Sequence, residues 1–193
     1  MQPQQIGIKI NLCLVVSESV PFSQIEQEPN LIEQLQPGAP LPLAYYGCSV
    51  DAKARLKVPA DYVKHMNTLG AQFFLTSYDE LDIHIYTRDA FLKQCSFVEE
   101  LALNPELQDD AEDTLFRMRD LGADVSLDTD GRLQLPPVLR QRLGFTELPS
   151  ACHIGKDRDH FVVMTAQRYA AIRDKSRVRP AESAKRMRQL GLR

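Results

Sequence analysis

The chain carries an Asp-x-x-x-Arg motif twice, at Asp51 to Arg55 and, 77 positions later, at Asp128 to Arg132. In each copy the Asp ends a strand-like stretch, and its carboxylate can accept hydrogen bonds from amides of the following turn. The Arg can fold back across the turn to that carboxylate. A free guanidinium at the same place can instead bind a phosphate, or form two hydrogen bonds with guanine. Such a bidentate pair contributes roughly 1–3 kcal/mol of discrimination against the wrong base. The motif therefore has two interpretations, a hairpin ion pair or a contact to nucleic acid.

Both motifs are followed by alternating apolar and polar residues, which is typical of a half-buried strand. Leu56 and Val58 alternate with Arg55 and Lys57 in the first copy, and Leu133 and Leu135 alternate with Arg132 and Gln134 in the second. The apolar side chains are predicted to face a core, which leaves the Arg-bearing face to solvent or to a partner. In the second turn Gly131 supplies a residue that readily adopts a positive φ.

The repeat extends well beyond the two turns. Each copy is predicted to form strand, turn, strand, helix, strand, turn and strand, and the offset drifts from 77 to 78, so that Thr87 matches Thr165 and Phe91 matches Tyr169. Two helical segments separated by Asn104-Pro105 join the copies. We therefore expect an α+β protein in which a duplicated ββαββ unit forms the body.

The order Asp-x-Lys-x-Arg-Leu-x-Val-Pro, repeated as Asp-x-x-Gly-Arg-Leu-x-Leu-Pro-Pro, resembles the MraZ family of bacterial regulators, which have two SpoVT-AbrB-type domains in one chain. The resemblance covers about residues 43–173. It implies a double-split or swapped-hairpin β-barrel with flanking helices, and assembly into a homo-oligomeric ring. It also implies binding to direct repeats of double-stranded promoter DNA, usually to repress the division and cell wall gene cluster.

Carried onto this chain, the resemblance makes Arg55 the essential DNA contact, with Lys53 beside it and Arg132 as its counterpart. The predicted DNA-binding residues are Arg55, Lys53, Lys57 and Arg132, and the predicted hairpin-structuring residues are Asp51, Asp128 and Gly131. The chain departs from the family pattern at three positions. Ala54 stands where the family has Gly, so a different turn geometry is expected, and Tyr46 stands where the family often has Arg, which removes one phosphate contact. Asp130 occupies the place of Lys53 in the second copy, so the first hairpin is expected to make the main DNA contact.

The sequence predicts five segments. They are an N-terminal extension (1–42, a strand at 6–16 and a Pro-rich linker), a first repeat (43–91), linker helices (92–120), a second repeat (121–169) and a basic helical tail (170–193). From Arg168 to Arg193 nine Arg or Lys oppose Asp174 and Glu182, although the whole chain has a net charge of −3. The tail is interpreted either as solvated helix or as a sequence-independent contact to DNA phosphates.

Composition excludes several other classes. At 44% hydrophobic the chain can bury a core, and it has no apolar run long enough to span a membrane, so we expect a soluble, intracellular protein. The DNA-binding role that the resemblance implies makes it a cytoplasmic, nucleoid-associated protein. The four cysteines are too dispersed for a zinc or redox motif, and they are interpreted as buried thiols. His84 alternates with Asp82 and Tyr86, which predicts an exposed strand residue rather than a metal ligand.

No catalytic motif is present, so neither an enzyme nor a cofactor or metal is predicted. An alternative from another class is an antitoxin-like protein-interaction module with the same swapped-hairpin fold. Such modules usually carry one hairpin and an acidic tail, whereas this chain has two hairpins and a basic tail.

Overall fold

A computed structural model describes residues 39–192. The eight strands of this part are β1 (Tyr46–Val50), β2 (Arg55–Lys57), β3 (Gln72–Thr76), β4 (Ile83–Tyr86), β5 (Ala123–Ser126), β6 (Arg132–Gln134), β7 (Ser150–Asp157) and β8 (His160–Thr165). The six helices are α1 (Ala60–Thr68), α2 (Arg88–Leu101), α3 (Gln108–Asp120), α4 (Pro137–Arg142), α5 (Ala166–Arg177) and α6 (Pro180–Gln189). The predicted N-terminal strand at 6–16 lies outside the described residues.

The strands form one antiparallel sheet in the order β5-β3-β4-β8-β7-β1-β2-β6. The first hairpin of each copy pairs with a strand of the other copy. Strand β1 of the first copy pairs with β7 of the second, and β5 of the second copy pairs with β3 of the first. Exchanging the two copies leaves this set of pairings unchanged, because β2 pairs with β6 and β4 with β8. The swapped-hairpin barrel and the α+β class expected from the sequence are confirmed.

The two terminal strands of the sheet, β5 and β6, belong to one hairpin, so the sheet curls into a nearly closed barrel. Their turn is held by a hydrogen bond from the Asp128 amide to the Arg132 carbonyl at 2.9 Å, and the first turn has the same bond from Asp51 to Arg55 at 2.9 Å. The turns are also linked to the opposite copy. The Val58 amide donates to the Gly131 carbonyl, and the Leu135 amide donates to the Ala54 carbonyl, each at 3.0 Å.

The barrel interior holds the main hydrophobic core. Leu56 and Leu133 lie directly opposite each other on β2 and β6, and both are fully buried. Tyr62 of α1 lies against Phe161 of β8, with the ring centroids 5.8 Å apart in an edge-to-face arrangement. Burial of these apolar side chains stabilises the ribbon of β2 and β6 from beneath and fixes which residues face outward.

A second cluster packs α2 and α3 against the outer side of the sheet. Phe74 of β3 stacks on Phe91 of α2 with the centroids 4.0 Å apart, and Leu115 and Met118 of α3 are buried with them. Helices α2 and α5 begin in the same way, because the hydroxyls of Thr87 and Thr165 each accept a hydrogen bond from the amide three residues later. The predicted match of Thr87 with Thr165 therefore holds structurally.

His84 is buried, and the prediction that it is an exposed strand residue is wrong. Only 2% of its surface is accessible, because the rings of Tyr78, in the loop before β4, and of Tyr86 and His160 pack around it. Its Nδ1 lies 3.0 Å from Nε2 of His160, which is also buried, and Tyr78 stacks on its ring at 4.2 Å. Alternation along β4 indicated a solvent-facing side, but that side lies beneath a second layer.

Buried His160 should make the fold sensitive to acid. Burial lowers the pKa of His160, despite the nearby Asp159 and Asp157 carboxylates, so the unfolded chain binds more protons below about pH 6.5. Stability contributed by this group is present above that pH and is lost as the pH falls towards the folded-state pKa. We expect His160→Gln to flatten the fall in unfolding free energy between pH 7 and 5, by at most about 1.4 kcal/mol per pH unit.

Urea unfolding of both proteins at several pH values measures this difference. Asp79 near His84 has a lowered pKa and would act only at much lower pH, so it does not confuse the comparison. Parallel stability curves for the wild type and His160→Gln would refute the assignment.

The swap also brings two cysteines together. Cys48 and Cys152 lie directly opposite on β1 and β7, with their Sγ atoms 3.2 Å apart. The hydrogen bond between the thiols, together with burial, raises the pKa of Cys48 well above its usual range. Cys48 therefore stays a protonated thiol at neutral pH and lacks the thiolate character of a reactive cysteine.

Within residues 39–192, no helix combines the length and apolar character needed to cross a bilayer.

Candidate nucleic-acid interface

Strands β2 and β6 form a short antiparallel ribbon whose outer face is polar and basic. In its register Arg55 lies opposite Gln134, and Lys57 lies opposite Arg132. Because Leu56 and Leu133 point into the barrel, these four side chains share the outer face. Both sequence-predicted arginines and Lys57 are thus brought to one surface, which we call the ribbon face. Lys53 lies in the turn at one end of it.

The first turn is organised by Asp51. Its Oδ1 accepts hydrogen bonds from the Lys53 amide at 2.8 Å and the Arg55 amide at 2.9 Å, and its Oδ2 accepts one from Arg55 Nε at 2.9 Å. The bond from the Arg55 amide is the strongest influence that lowers the pKa of Asp51, followed by the Arg55 side chain and the Lys53 amide, and these outweigh desolvation. The carboxylate therefore stays ionised and holds the turn at neutral pH.

In the second turn the carboxylate of Asp128 accepts hydrogen bonds from backbone amides only. Asp128 Oδ1 accepts the Asp130 amide at 3.0 Å and the Arg132 amide at 2.7 Å, but the guanidinium of Arg132 pairs with Asp130. The side-chain pair between Arg132 and Asp128, one of the two interpretations of the motif, is therefore not formed. The two arginines have different carboxylate partners because the residue two places before each Arg differs. Asp130 attracts Arg132, whereas Lys53 offers Arg55 no carboxylate and leaves Asp51 as its partner.

The two turns have the same backbone geometry. The different geometry expected for the first turn, because Ala54 replaces the family's Gly, is not observed. Ala54 adopts φ 60° and its counterpart Gly131 adopts φ 72°. The Ala54 amide donates to the Asp51 carbonyl, and the Gly131 amide donates to the Asp128 carbonyl, each at 2.9 Å. A non-glycine residue in this left-handed region costs about 1–2 kcal/mol, so the shared hydrogen bonds enforce the conformation at Ala54.

The side chains on the ribbon face remain accessible to a ligand. The side chains of Arg55 and Arg132 keep 30% and 27% of their surface exposed, and Lys53 and Lys57 are exposed. Within residues 39–192 neither lysine forms an ion pair. Lys57 also faces Arg132 directly across the ribbon, and like charges in that position cost roughly 0.2–1 kcal/mol. An anionic ligand would relieve this repulsion.

Beside the ribbon lies a shallow cleft of about 360 Å³, lined by Lys57 together with residues 47–49 and 58–60. Its lining includes the first turn of α1, which has no side-chain cap. Lys57 thus lies both on the ribbon face and at the edge of this cleft.

Sequence reasoning missed one residue of the ribbon face. The side-chain amide of Gln134 donates to the carbonyls of Lys53 and Ala54 at 3.3 and 3.2 Å, which ties the first turn to the second copy. Position 134 was recognised only as a polar strand residue. Its place opposite Arg55 follows from the pairing of β2 with β6, which alternation within one strand does not specify.

Within residues 39–192 no three His, Cys, Asp or Glu side chains are grouped so that they could hold a metal ion. The ribbon face itself presents guanidinium, ammonium and amide groups, which can bind anions and base edges.

The sequence was compared with known proteins. No protein-family model matches the chain. It is 37% identical over 94 residues to the Transcriptional regulator MraZ of Acidobacterium capsulatum, a match that covers 48% of this chain. This similarity supports membership of the MraZ family. The matched region spans 62% of the length of that MraZ protein, so less than two thirds of the relative is covered.

The MraZ resemblance stated from the two hairpins thus agrees with an independent comparison of sequences. The roles of Arg55, Lys53, Lys57 and Arg132 in binding DNA stay predictions, and so does the division of the chain into an extension, two repeats, linker helices and a tail.

Proposed function

We propose that this protein is a DNA-binding transcriptional regulator without enzymatic activity, acting at the nucleoid in the cytoplasm. The observation that carries the proposal is the ribbon face, where Lys57 and Arg132 lie directly opposite each other and Arg55 shares the same surface. The MraZ relative, whose name describes a transcriptional regulator, supports the same conclusion. In line with the resemblance, we propose repression of the division and cell wall gene cluster through direct repeats in its promoter.

The proposed roles follow from the chemistry of each side chain. Arg55 presents a planar fork of donors suited to guanine, and its link to Asp51 holds that fork in place. Lys53 and Lys57 are exposed point charges suited to phosphates. Asp130 stands beside Arg132 where the first turn has Lys53, so the second turn is less suited to an anion and makes the weaker contact. The major groove of DNA admits a two-stranded ribbon, which matches the form of this surface.

One ribbon face is a small surface for specific binding, and the chain as a whole is acidic, with a net charge of −3. We propose that several copies assemble into a ring and bind several direct repeats at once. Linked weak contacts then become intramolecular, and affinity rises steeply where the repeat spacing matches the spacing of subunits.

The direct test is a binding titration with double-stranded DNA from upstream of the protein's own gene, followed by fluorescence anisotropy. We expect tight binding to this fragment and weak binding to a shuffled fragment of the same composition. Equal affinity for both would contradict sequence-specific regulation.

The phosphate role of Lys57 gives a prediction about salt. Replacing Lys57 with alanine should reduce the slope of log affinity against log salt by about 1 for each engaged subunit, while the preferred sequence stays the same. The matched control is Lys93→Ala, since Lys93 is an exposed lysine on α2, away from the ribbon face. An unchanged salt slope for Lys57→Ala would remove this residue from the interface.

A further inference from the structure

Helix α6 is an element without a visible source of stability. It has ten residues, none of them buried. Helices shorter than about 12–15 residues are marginal in water unless an apolar face is covered. Its apolar residues are exposed, with 50% of Met187 and 81% of the following Leu190 accessible. A partner surface is therefore needed to hold α6 in place.

The charges of α6 define that surface. Lys185, Arg186 and Arg188 oppose a single acid, Glu182. A short basic helix with exposed Met and Leu side chains suits an acidic surface that also offers an apolar contact. DNA phosphates provide the negative charge but no apolar contact for Met187 or Leu190.

Helix α3 carries a surface of that kind. Asp109, Asp113, Phe116 and Asp120 follow one another at spacings of 4, 3 and 4, so they lie on one face of the helix. The opposite face, with Leu115 and Met118, is buried. Phe116 is 71% exposed and places an apolar ring among these carboxylates. We call this surface the acidic face of α3.

The acidic face has room for a side chain. A cleft of about 370 Å³ is lined by Glu112, Leu115, Phe116, Arg119 and Asp120. Arg119 in it is already paired with Glu99 of α2 at 3.0 Å, so the free charges at the rim are carboxylates. An apolar side chain from a basic helix can enter such a cleft while its neighbours pair with the rim.

We propose that helix α6 of one copy of this chain docks on the acidic face of α3 of a second copy. The inference rests on the self-assembly proposed above and names the surfaces that produce it. The two surfaces differ, so the contact is head-to-tail, and repeating it generates a closed ring or an open filament rather than a two-fold dimer. On this inference the basic tail serves assembly and leaves DNA binding to the ribbon face.

The test uses two full-length charge-reversal variants. A tail variant carries Lys185→Glu and Arg188→Glu, and a face variant carries Asp113→Lys and Asp120→Lys. Within residues 39–192 none of these four side chains forms an ion pair, so the fold should be unaffected. Circular dichroism checks the fold, and sedimentation velocity measures assembly.

Each variant alone should sediment as a much smaller species than the wild type, because like charges then meet at every contact. Mixed in equal amounts, the variants should restore the wild-type assembly, since the acidic tail of one meets the basic face of the other, and the reverse. A contact within one chain would not be rescued by mixing. Wild-type assembly of either variant alone, or no rescue on mixing, overturns the proposal.

A second pair of variants tests the apolar part. Phe116→Ala should weaken assembly at least tenfold in concentration, whereas Phe97→Ala, which removes a 54% exposed phenylalanine from α2, should not. Equal effects would overturn the docking site. The docking site would also be overturned if the tail variant assembled normally but showed a reduced slope of log DNA affinity against log salt. In that case α6 would lie on DNA.

The outcome separates this inference from the proposed function. Arg55→Ala should assemble like the wild type, since Arg55 lies on the ribbon face. If the wild type assembles through α6 and α3 but shows no Arg55-dependent binding to DNA, the regulatory function fails and the interface stands. A wild-type chain that stays monomeric at all concentrations overturns the interface.

Discussion

Arg55→Ala should lower the affinity of the assembled protein for its promoter DNA by more than about 100-fold. One bidentate contact to guanine contributes roughly 1–3 kcal/mol, and the loss is repeated in every subunit that is bound at the same time. Fluorescence anisotropy with the upstream fragment measures the change. The matched control is Arg88→Ala, because Arg88 is also an exposed arginine in an ion pair, with Asp124, but lies outside the ribbon face. A loss below about threefold would refute Arg55 as the main contact.

The ion pair with Asp51 must be separated from this effect. Arg55 and Asp51 each keep 30% of their side-chain surface exposed, and exposed pairs contribute about 0–1 kcal/mol. Arg55→Ala should therefore unfold in urea at nearly the wild-type concentration, since Asp51 retains two backbone hydrogen bonds. Arg55→Lys keeps the charge but loses the planar fork. It should retain non-specific binding and lose discrimination between the promoter and the shuffled fragment.

Gly131→Ala should destabilise the fold by about 2–3 kcal/mol. Gly131 has φ 72°, where an added Cβ costs about 1–2 kcal/mol. That Cβ would also lie 2.7 Å from Cγ2 of Val63, on the first helix of the other copy. Overpacking of this kind typically costs a further 1–3 kcal/mol, partly relieved by movement of Val63. Urea unfolding measures the loss, and Gly131→Ala combined with Val63→Ala should recover the part due to the clash.

The equivalent position of the first copy provides the control. Ala54→Gly relieves the strain at φ 60°, but it also removes a buried methyl group and makes the unfolded chain more flexible. These contributions offset one another, so the change should stay within about 1 kcal/mol. Equal and opposite effects at Ala54 and Gly131 would show that φ alone decides, and that the contact with Val63 contributes nothing.

Local patterns were sufficient to predict the elements of each copy. Alternation placed Leu56 and Leu133 inside and Arg55 and Lys57 outside, and the offset of 77 to 78 located the matching caps Thr87 and Thr165. These features depend on neighbours a few residues apart, or on the comparison of one copy with the other. The chain contains that information directly.

Features that depend on the second layer or on the partner strand could not be predicted in the same way. His84 alternates like a surface residue, but the rings of Tyr78 and His160 pack against it and bury it. Cys48 and Cys152 meet only because β1 pairs with β7 of the other copy, 104 residues away. The choice of Asp130 by Arg132 depended on a competition between two carboxylates within one turn.

The crossed hydrogen bonds from Val58 to Gly131 and from Leu135 to Ala54 mean that neither half of this molecule is complete alone. The barrel is equivalent to a dimer of two small ββαββ units that have been joined covalently through α2 and α3. Joining them replaces an encounter between separate molecules by closure of a loop, whose entropic cost grows only slowly with length. Formation of the barrel therefore does not depend on protein concentration. Arg55 and Arg132 keep a fixed separation even when the protein is present at very low concentration.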